Sequence, residues 1–330
     1  MKFSIEDISA ENGSKTFGWI KIGRSPNGSM IGIPIIIVNG AGDGPKLCVD
    51  GCVHGDEYEG AEAILELGKT LNPTELKGTL MAVPVVNVPA FEAGLRANPL
   101  DYDRYDINRI FPGSEDGHVS QRIAFKHFNE VISRADFYIS LHGGGNFEFI
   151  EPFVNFSADQ GLPANLINKS MDLAEAFGLG IVNRRPSSFE GGARLAAARR
   201  GIPSITPELG GQCERADRRK HSVDLFVRGI RNAMKYLGMM EGELERPKSQ
   251  ILVETTEIRC QNGGLQIPQV RPGERVSKGD PLVRILTPFF GDEIECVKAP
   301  FDGITCLMWA YPIVQPGDWV THLGKIIRTL

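Results

Sequence analysis

Short apolar runs alternate with segments of helical spacing over the first 240 residues. The runs at 31–38, 46–53, 79–86, 136–141, 152–156, 179–182 and 202–206 are rich in Val, Ile and Leu. Their length and branching predict buried strands. Between them, 58–71, 120–134, 162–177, 192–200 and 222–237 repeat apolar residues at intervals of three and four, which predicts helices. The first of these should stop at Asn72-Pro73, and Ser120 reads as an N-cap. Residues 1–30 predict one or two short edge strands. The alternation as a whole predicts an α/β fold: a mixed, mostly parallel sheet flanked by helices.

The pattern changes at 238–250 (GMMEGELERPKSQ), which reads as a linker. Residues 251–330 predict an all-β segment with dense Gly/Pro punctuation. Val270-x-Pro272-Gly273-x-x-Val276 recurs as Val314-x-Pro316-Gly317-x-x-Val320. A doubled Pro-Gly turn suggests two halves of a small barrel-sandwich. The segment resembles the biotinyl/lipoyl carrier fold, but Glu295-Cys296-Val297-Lys298 stands where a biotin-carrying Met-Lys-Met would be. The expected organisation is therefore a catalytic domain over 1–240, with a short N-terminal β segment, and a small structural β domain over 251–330. That domain is expected to cap the catalytic part or build a homo-oligomer.

Composition narrows the function classes. The chain has 330 residues, 42% hydrophobic and 23% charged, with a net charge of −5, as expected of a globular protein with a large core. No Lys/Arg cluster reads as a nucleic-acid stripe; the densest, 215–220, reads as a solvated helix start. The N-terminus is acidic where a signal peptide needs an apolar core, and the run at 31–38 is too short to span a membrane. The six cysteines show no paired framework. A reduced, cytoplasmic protein acting on a small molecule, without nucleic-acid or membrane partners, is the expectation.

Four short motifs carry the chemistry. His54 and Glu57 (HGDEYEG, 54–60) follow one predicted strand, and His142 (SLHGGG, 140–145) follows another. Two histidines and a glutamate are the ligand set of a catalytic zinc with one open position. Strand ends in an α/β sheet gather such groups. Alone, His54 could be a surface histidine beside an acidic helix start, and His142 a satisfied histidine at a turn. Together they favour metal. Glu208 (TPELGG, 206–211) ends a third run and suits a general base/acid, against the blander reading of a loop salt bridge. In DINRIFPG (106–113), Asn108 and Arg109 could grip a carboxylate, or Arg109 could pair with the acidic stretch 101–106. No G-x-S-x-G or H-E-x-x-H occurs, so serine hydrolases and zincins are not supported.

These four motifs, in this order, resemble the succinylglutamate desuccinylase/aspartoacylase family, the acylase branch of the zinc carboxypeptidase-like superfamily. Its wording is nearest to members that deacetylate N-acetyl-diaminobutyrate. The resemblance implies one zinc on His54, Glu57 and His142, Glu208 as general base/acid, and Asn108 and Arg109 as substrate-binding groups. It also implies an upstream arginine that polarises the carbonyl, for which Arg96 and Arg104 compete. Arg194, Arg199 and Arg200 are further candidates for the pocket. Many relatives carry Asp where this chain has Ser140. The implied activity is deacylation of a small N-acyl amino acid. The rivals are a carboxypeptidase or esterase on the same fold and a zinc-binding protein without turnover.

Overall fold

The computed structural model describes residues 1–185, 190–212 and 218–330. Cys213 and the start of the basic run at 215–220 lie outside them. The chain opens with β1 (Phe3–Ile5), β2 (Ile8–Ala10), β3 (Ser14–Arg24), β4 (Met30–Asn39) and β5 (Gly42–Asp50). Then come α1 (Tyr58–Thr70), β6 (Lys77–Val83), α2 (Val88–Ala93), α3 (Val119–Glu130), β7 (Phe137–Ser140), β8 (Glu148–Ile150) and β9 (Phe153–Phe156). The α/β part finishes with α4 (Ala164–Phe177), β10 (Ile181–Arg184), α5 (Ala193–Arg199), β11 (Ser204–Glu208) and α6 (Arg219–Tyr236). The remainder is all strand: β12 (Ile251–Arg259), β13 (Gly264–Pro268), β14 (Arg275–Val276), β15 (Pro281–Leu286), β16 (Glu293–Lys298), β17 (Gly303–Trp309), β18 (Ile313–Val314) and β19 (Trp319–Thr329). Among the described residues, no helix is long and apolar enough to cross a membrane.

The apolar runs are continuous because both faces of the sheet are covered. Leu47 and Val49 of β5 join one core with α1, α4 and α6, while Cys48 joins the other with α3 and α5. The same alternation separates Leu80 and Ala82 from Met81 and Val83 on β6. The large sheet has 13 strands, ordered β14-β17-β19-β12-β10-β9-β11-β7-β5-β6-β4-β3, with β8 paired to β17.

This sheet is mixed rather than mostly parallel. Parallel pairing is confined to β11–β7–β5–β6 and to β9–β10–β12. These two blocks meet at an antiparallel seam between β11 and β9, and antiparallel strands flank both. The expectation failed because the chain turns back on itself after β7, through β8 into β9, instead of crossing over by a helix.

Local boundaries also moved. The N-terminal segment holds an 11-residue strand, β3, pinned along β4, beyond the short edge strands expected. β5 ends at Asp50, before the expected Val53, because Cys52 takes a left-handed backbone (φ 46°). Ser120 is inside α3 rather than its cap. The Gln121 side chain accepts from the His118 N–H, and the Asp101 carboxylate takes the Ser120 N–H.

The segment after 250 is β-rich, as expected, but its strands divide between two sheets. β12, β17 and β19 extend the large sheet, while β16-β15-β13-β18 form a separate four-stranded one. Val276, Val314 and Val320 of the repeated motif point into their shared core, and both Pro-Gly turns place glycine at positive φ (89° and 91°). A second apolar cluster, including Phe153, Ile181, Val253 and Leu307, fills the join to the α/β part.

Candidate active site

Strands β5, β7 and β11 run in parallel, so their carboxyl ends open on the same side. His54 and Glu57 follow β5, His142 follows β7, and Glu208 is the last residue of β11. The loop from β5 is pressed tightly against α2: a Cβ at Gly55 would strike the backbone of Ala90 and Phe91. Glu57 occupies the N-cap position of α1 without capping it. Its carboxylate turns instead to the histidines, with Oε1 2.6 Å from His54 Nδ1 and Oε2 2.8 Å from His142 Nδ1. The Gly143 N–H donates to the same Oε2 (3.2 Å).

His54, Glu57 and His142 are all buried, and one ligand atom from each lies within 4.8 Å of the other two. The set is two imidazole nitrogens and a carboxylate oxygen facing a cleft, which fits a zinc ion with an open position. Asp106 holds His54 by its other nitrogen: Oδ1 lies 3.0 Å from Nε2. A carboxylate in that place fixes the tautomer that leaves Nδ1 free to ligate. Asp106 Oδ2 accepts from Arg96 Nε and Nη2, both at 3.2 Å, and Arg96 Nη1 reaches Glu57 Oε1 at 3.4 Å.

The charges follow from this packing. Burial alone would raise the carboxyls of Glu57 and Asp106. The imidazoles beside them, and Arg96 beside Asp106, outweigh it and hold both well below the usual range. Burial and Arg96 disfavour a proton on His54, but Glu57 and Asp106 prevail and raise it. For Glu208 the balance goes the other way: burial, aided by Glu57 and Glu148, outweighs His142 and Arg185 and pushes it up to about 8. Its backbone is joined to the histidine loop, for His142 N donates to Pro207 O (3.0 Å) and Leu209 N to His142 O (3.1 Å).

The cleft has a volume of about 180 Å³, room for about six waters. That scale admits a small molecule and not a folded chain. Its walls bring together the expected ligands, base and substrate-binding candidates His54, Glu57, Arg96, Asn108, Arg109, His142 and Glu208. Arg104 is not among them; it is exposed, with φ 47°. Asn108 is partly committed, because its Oδ1 accepts from Ala193 N (2.9 Å) at the start of α5. That contact, with the Ile110–Gly191 bridge, zips the Asn-Arg turn to the segment carrying Arg194. Arg194 lines the cleft, and burial lowers it to about 10. Arg199 pairs with Glu190 at the surface and Arg200 is exposed, so neither belongs to the site.

Ser140 does not orient His142. Its hydroxyl donates to Asp50 Oδ1 (2.7 Å), while Asp50 Oδ2 also meets Tyr138 (2.7 Å) and His127 (2.6 Å). Ser140 is thus tied to an acidic residue of β5. Asp106, Glu148, Asn155, Arg185, Glu257, Trp319 and His322 escaped the sequence reading. Only Asp106 and Glu148 left a signal, lying at the head of one motif and just past the three glycines of another. Glu257, Leu307, Trp319 and His322 enter the cleft from the segment after 250. That segment, expected to be structural, thus borders the cleft. Tyr311 stays outside, half-exposed, with its ring edge on Phe147.

The chain resembles known proteins over most of its length. Residues 43–237 match the model of the succinylglutamate desuccinylase/aspartoacylase catalytic domain. The chain is 30% identical to the N-alpha-acetyl-L-2,4-diaminobutyric acid deacetylase of Halomonas elongata, over 95% of this chain and 92% of that one. The product-bound ectoine utilization protein of Ruegeria pomeroyi superposes with a TM-score of 0.86 at 27% identity, covering 94% and 95% of the two chains. A succinylglutamate desuccinylase/aspartoacylase from Rhodobacter sphaeroides gives 0.86 at 29% identity, covering 95% and 96%.

Proposed function

The chain belongs to the succinylglutamate desuccinylase/aspartoacylase family, whose named members are amide hydrolases, and from that premise we propose a zinc-dependent deacylase of small N-acyl amino acids. The observation that carries the reading is the convergence of His54, Glu57 and His142 on one point, with Glu208 in the same small cleft. Zinc held by those three residues would supply Lewis acidity, making water a nucleophile near neutral pH and polarising the amide carbonyl.

The chain's own groups account for the rest. Glu208 takes a proton from the attacking water and returns it to the departing nitrogen, so that an acid and an amine leave. Its position is fixed by Asn155, whose Nδ2 donates to Oε1 (3.2 Å). Arg96, held as a fork on Asp106, faces the region where negative charge develops on the carbonyl oxygen. Asn108 Nδ2 and Arg109 receive the substrate carboxylate, with Arg194 deeper in the same wall. An acetyl group suits the cleft's size and matches the name of the Halomonas relative.

The test is metal content of the purified protein, paired with a panel of N-acetyl amino acids, dipeptides and acyl esters before and after chelation. About one zinc per chain and chelator-sensitive hydrolysis of the N-acetyl amino acids is the expected result. Preference for dipeptides or esters would reassign the scissile bond. Zinc without turnover would make this a binding protein, and absence of metal binding would remove the reading's basis.

A further inference from the structure

Strand β8 has a cavity on each side. Glu148 lines the cleft, and Phe149, the next residue, lines a second cavity, because successive side chains of a strand point to opposite faces. The end of β11 is divided in the same way: Glu208 faces the cleft and Gly210 the second cavity. Phe149 also bridges Gly211, so β8 and the segment after β11 form the wall between the two. The second cavity has a volume of about 700 Å³, a size usual for ligand pockets. It opens where the first half of α6 and the turn at 271–273, ahead of β14, meet β8.

The lining is basic. Arg218 at the N-cap of α6, His221 and Arg228 within the helix, and Arg271 of the turn all border it. Glu151 is the one acidic residue among the described residues of the wall. The arginines are held in place by local contacts. Arg218 lies over the Phe149 ring, 4.5 Å from its centroid, as a cation–π pair. Arg228 Nη2 donates to Gly178 O (3.4 Å), while its Nε is buried without an acceptor. The Arg271 carbonyl accepts from the Glu274 N–H (3.1 Å) and from Thr305 Oγ1, which fixes the turn. Among the described residues, no ion pair reaches His221, Arg228 or Arg271. Cationic groups gathered around one cavity with a single counter-charge repel each other until an anion joins them.

We propose that this cavity is a second ligand site, which takes a small organic anion carrying more than one negative charge as carboxylate or phosphate. The site goes beyond the deacylase reading and uses neither the metal ligands nor Glu208. Guanidinium groups grip either oxyanion with two N–H donors at once. The Phe149 ring and Leu225 offer apolar surface to the carbon skeleton.

The experiment titrates the zinc-loaded full chain by calorimetry, at fixed ionic strength, with phosphoglycolate, with tricarballylate and with glycerol as an uncharged control. At least one of the two anions should bind saturably and glycerol should not; the tighter anion tells a phosphate ligand from a carboxylate one. Arg271 is exposed, so Arg271→Gln should keep the fold. It should weaken the anion by about 10- to 100-fold, the loss expected for one charge-assisted contact. Arg228→Gln, checked for its fold by circular dichroism, should do the same, whereas Arg109→Gln in the cleft should leave the affinity unchanged. Failure of both anions to bind the wild type would overturn the proposal, as would affinity that survives Arg271→Gln and Arg228→Gln alike. A loss as large in Arg109→Gln would place the anion in the cleft and also overturn it. None of these readouts uses turnover, so they stand whether or not the deacylase reading holds.

Discussion

Asp106→Asn tests whether the carboxylate behind His54 sets the metal site. Each Asp106 oxygen has its own donors: Oδ1 takes His54 Nε2 (3.0 Å) and the Asn108 N–H (2.9 Å), and Oδ2 takes two nitrogens of Arg96. An asparagine keeps one acceptor and turns the other into a donor. If its NH₂ faces Arg96, the fork opens and donor meets donor. If it faces His54, the imidazole loses the acceptor that keeps Nδ1 free. In either rotamer one charge-assisted contact is lost, and Arg96, half-exposed, recovers part of the loss from water. Loss of such an outer carboxylate costs about 10- to 100-fold in metal affinity, roughly 1.4–2.7 kcal/mol. Competition with a chromophoric chelator reads this directly, and circular dichroism checks that the fold is intact. A zinc affinity within about twofold of wild type, in a folded variant, would refute the role given to Asp106.

Three further perturbations follow from the same geometry. Glu208→Gln should lower kcat by about 10²- to 10⁴-fold while bound zinc stays the same; preserved turnover would remove Glu208 from the proton path. In the chelated protein, Glu208 and Glu148, raised by burial to about 8 and about 7, bind more protons folded than unfolded above the ordinary glutamate range. Stability should therefore fall as pH rises from about 4.3 toward 8, and Tm measured across that range should fall less in the Glu148→Gln/Glu208→Gln double variant. Asp50→Ala strips the shared acceptor from His127, Tyr138 and Ser140 in a fully buried cluster and should cost about 3–5 kcal/mol in urea unfolding; a loss under about 1 kcal/mol would show that the cluster is not coupled.

The residues legible in the sequence are those whose position follows from a strand end. His54, His142 and Glu208 each stop an apolar run, and parallel β5, β7 and β11 bring such stops together. Glycines beside them marked close packing, which the structure resolves into contacts with α2 and with Glu148. What could not be read depends on strand pairing at long range. Arg185 follows β10, Glu257 lies on β12 and His322 on β19, and nothing local distinguishes them from surface polar residues. The reversal after β7 was hidden for a similar reason: β8 and β9 are short, and their direction is decided by β17 and β11 rather than by their own residues. Asp50 was obscured because a charged residue ending an apolar run looks like a strand terminus, whereas here it is buried against two strands and a helix.

The antiparallel seam explains why Glu208, the proposed base, depends on strands so distant in sequence. At the seam Asn155 of β9 lies opposite Thr206 of β11, which puts its amide within reach of Glu208. Asn155 Oδ1 in turn accepts from Asn183 Nδ2 on β10 (2.8 Å), and Asn183 Oδ1 accepts from the Thr255 N–H on β12 (3.2 Å). A line of amides thus crosses four strands from the proposed base to the segment after 250. Each asparagine in it is fixed at both ends, so the ladder leaves Glu208 little freedom to leave the cleft. The linker at 238–250 separates these strands in sequence, but β10–β12 pairing makes them one surface. The β-rich segment therefore supplies walls of the cleft, through Glu257, Trp319 and His322, and backing for the proposed base.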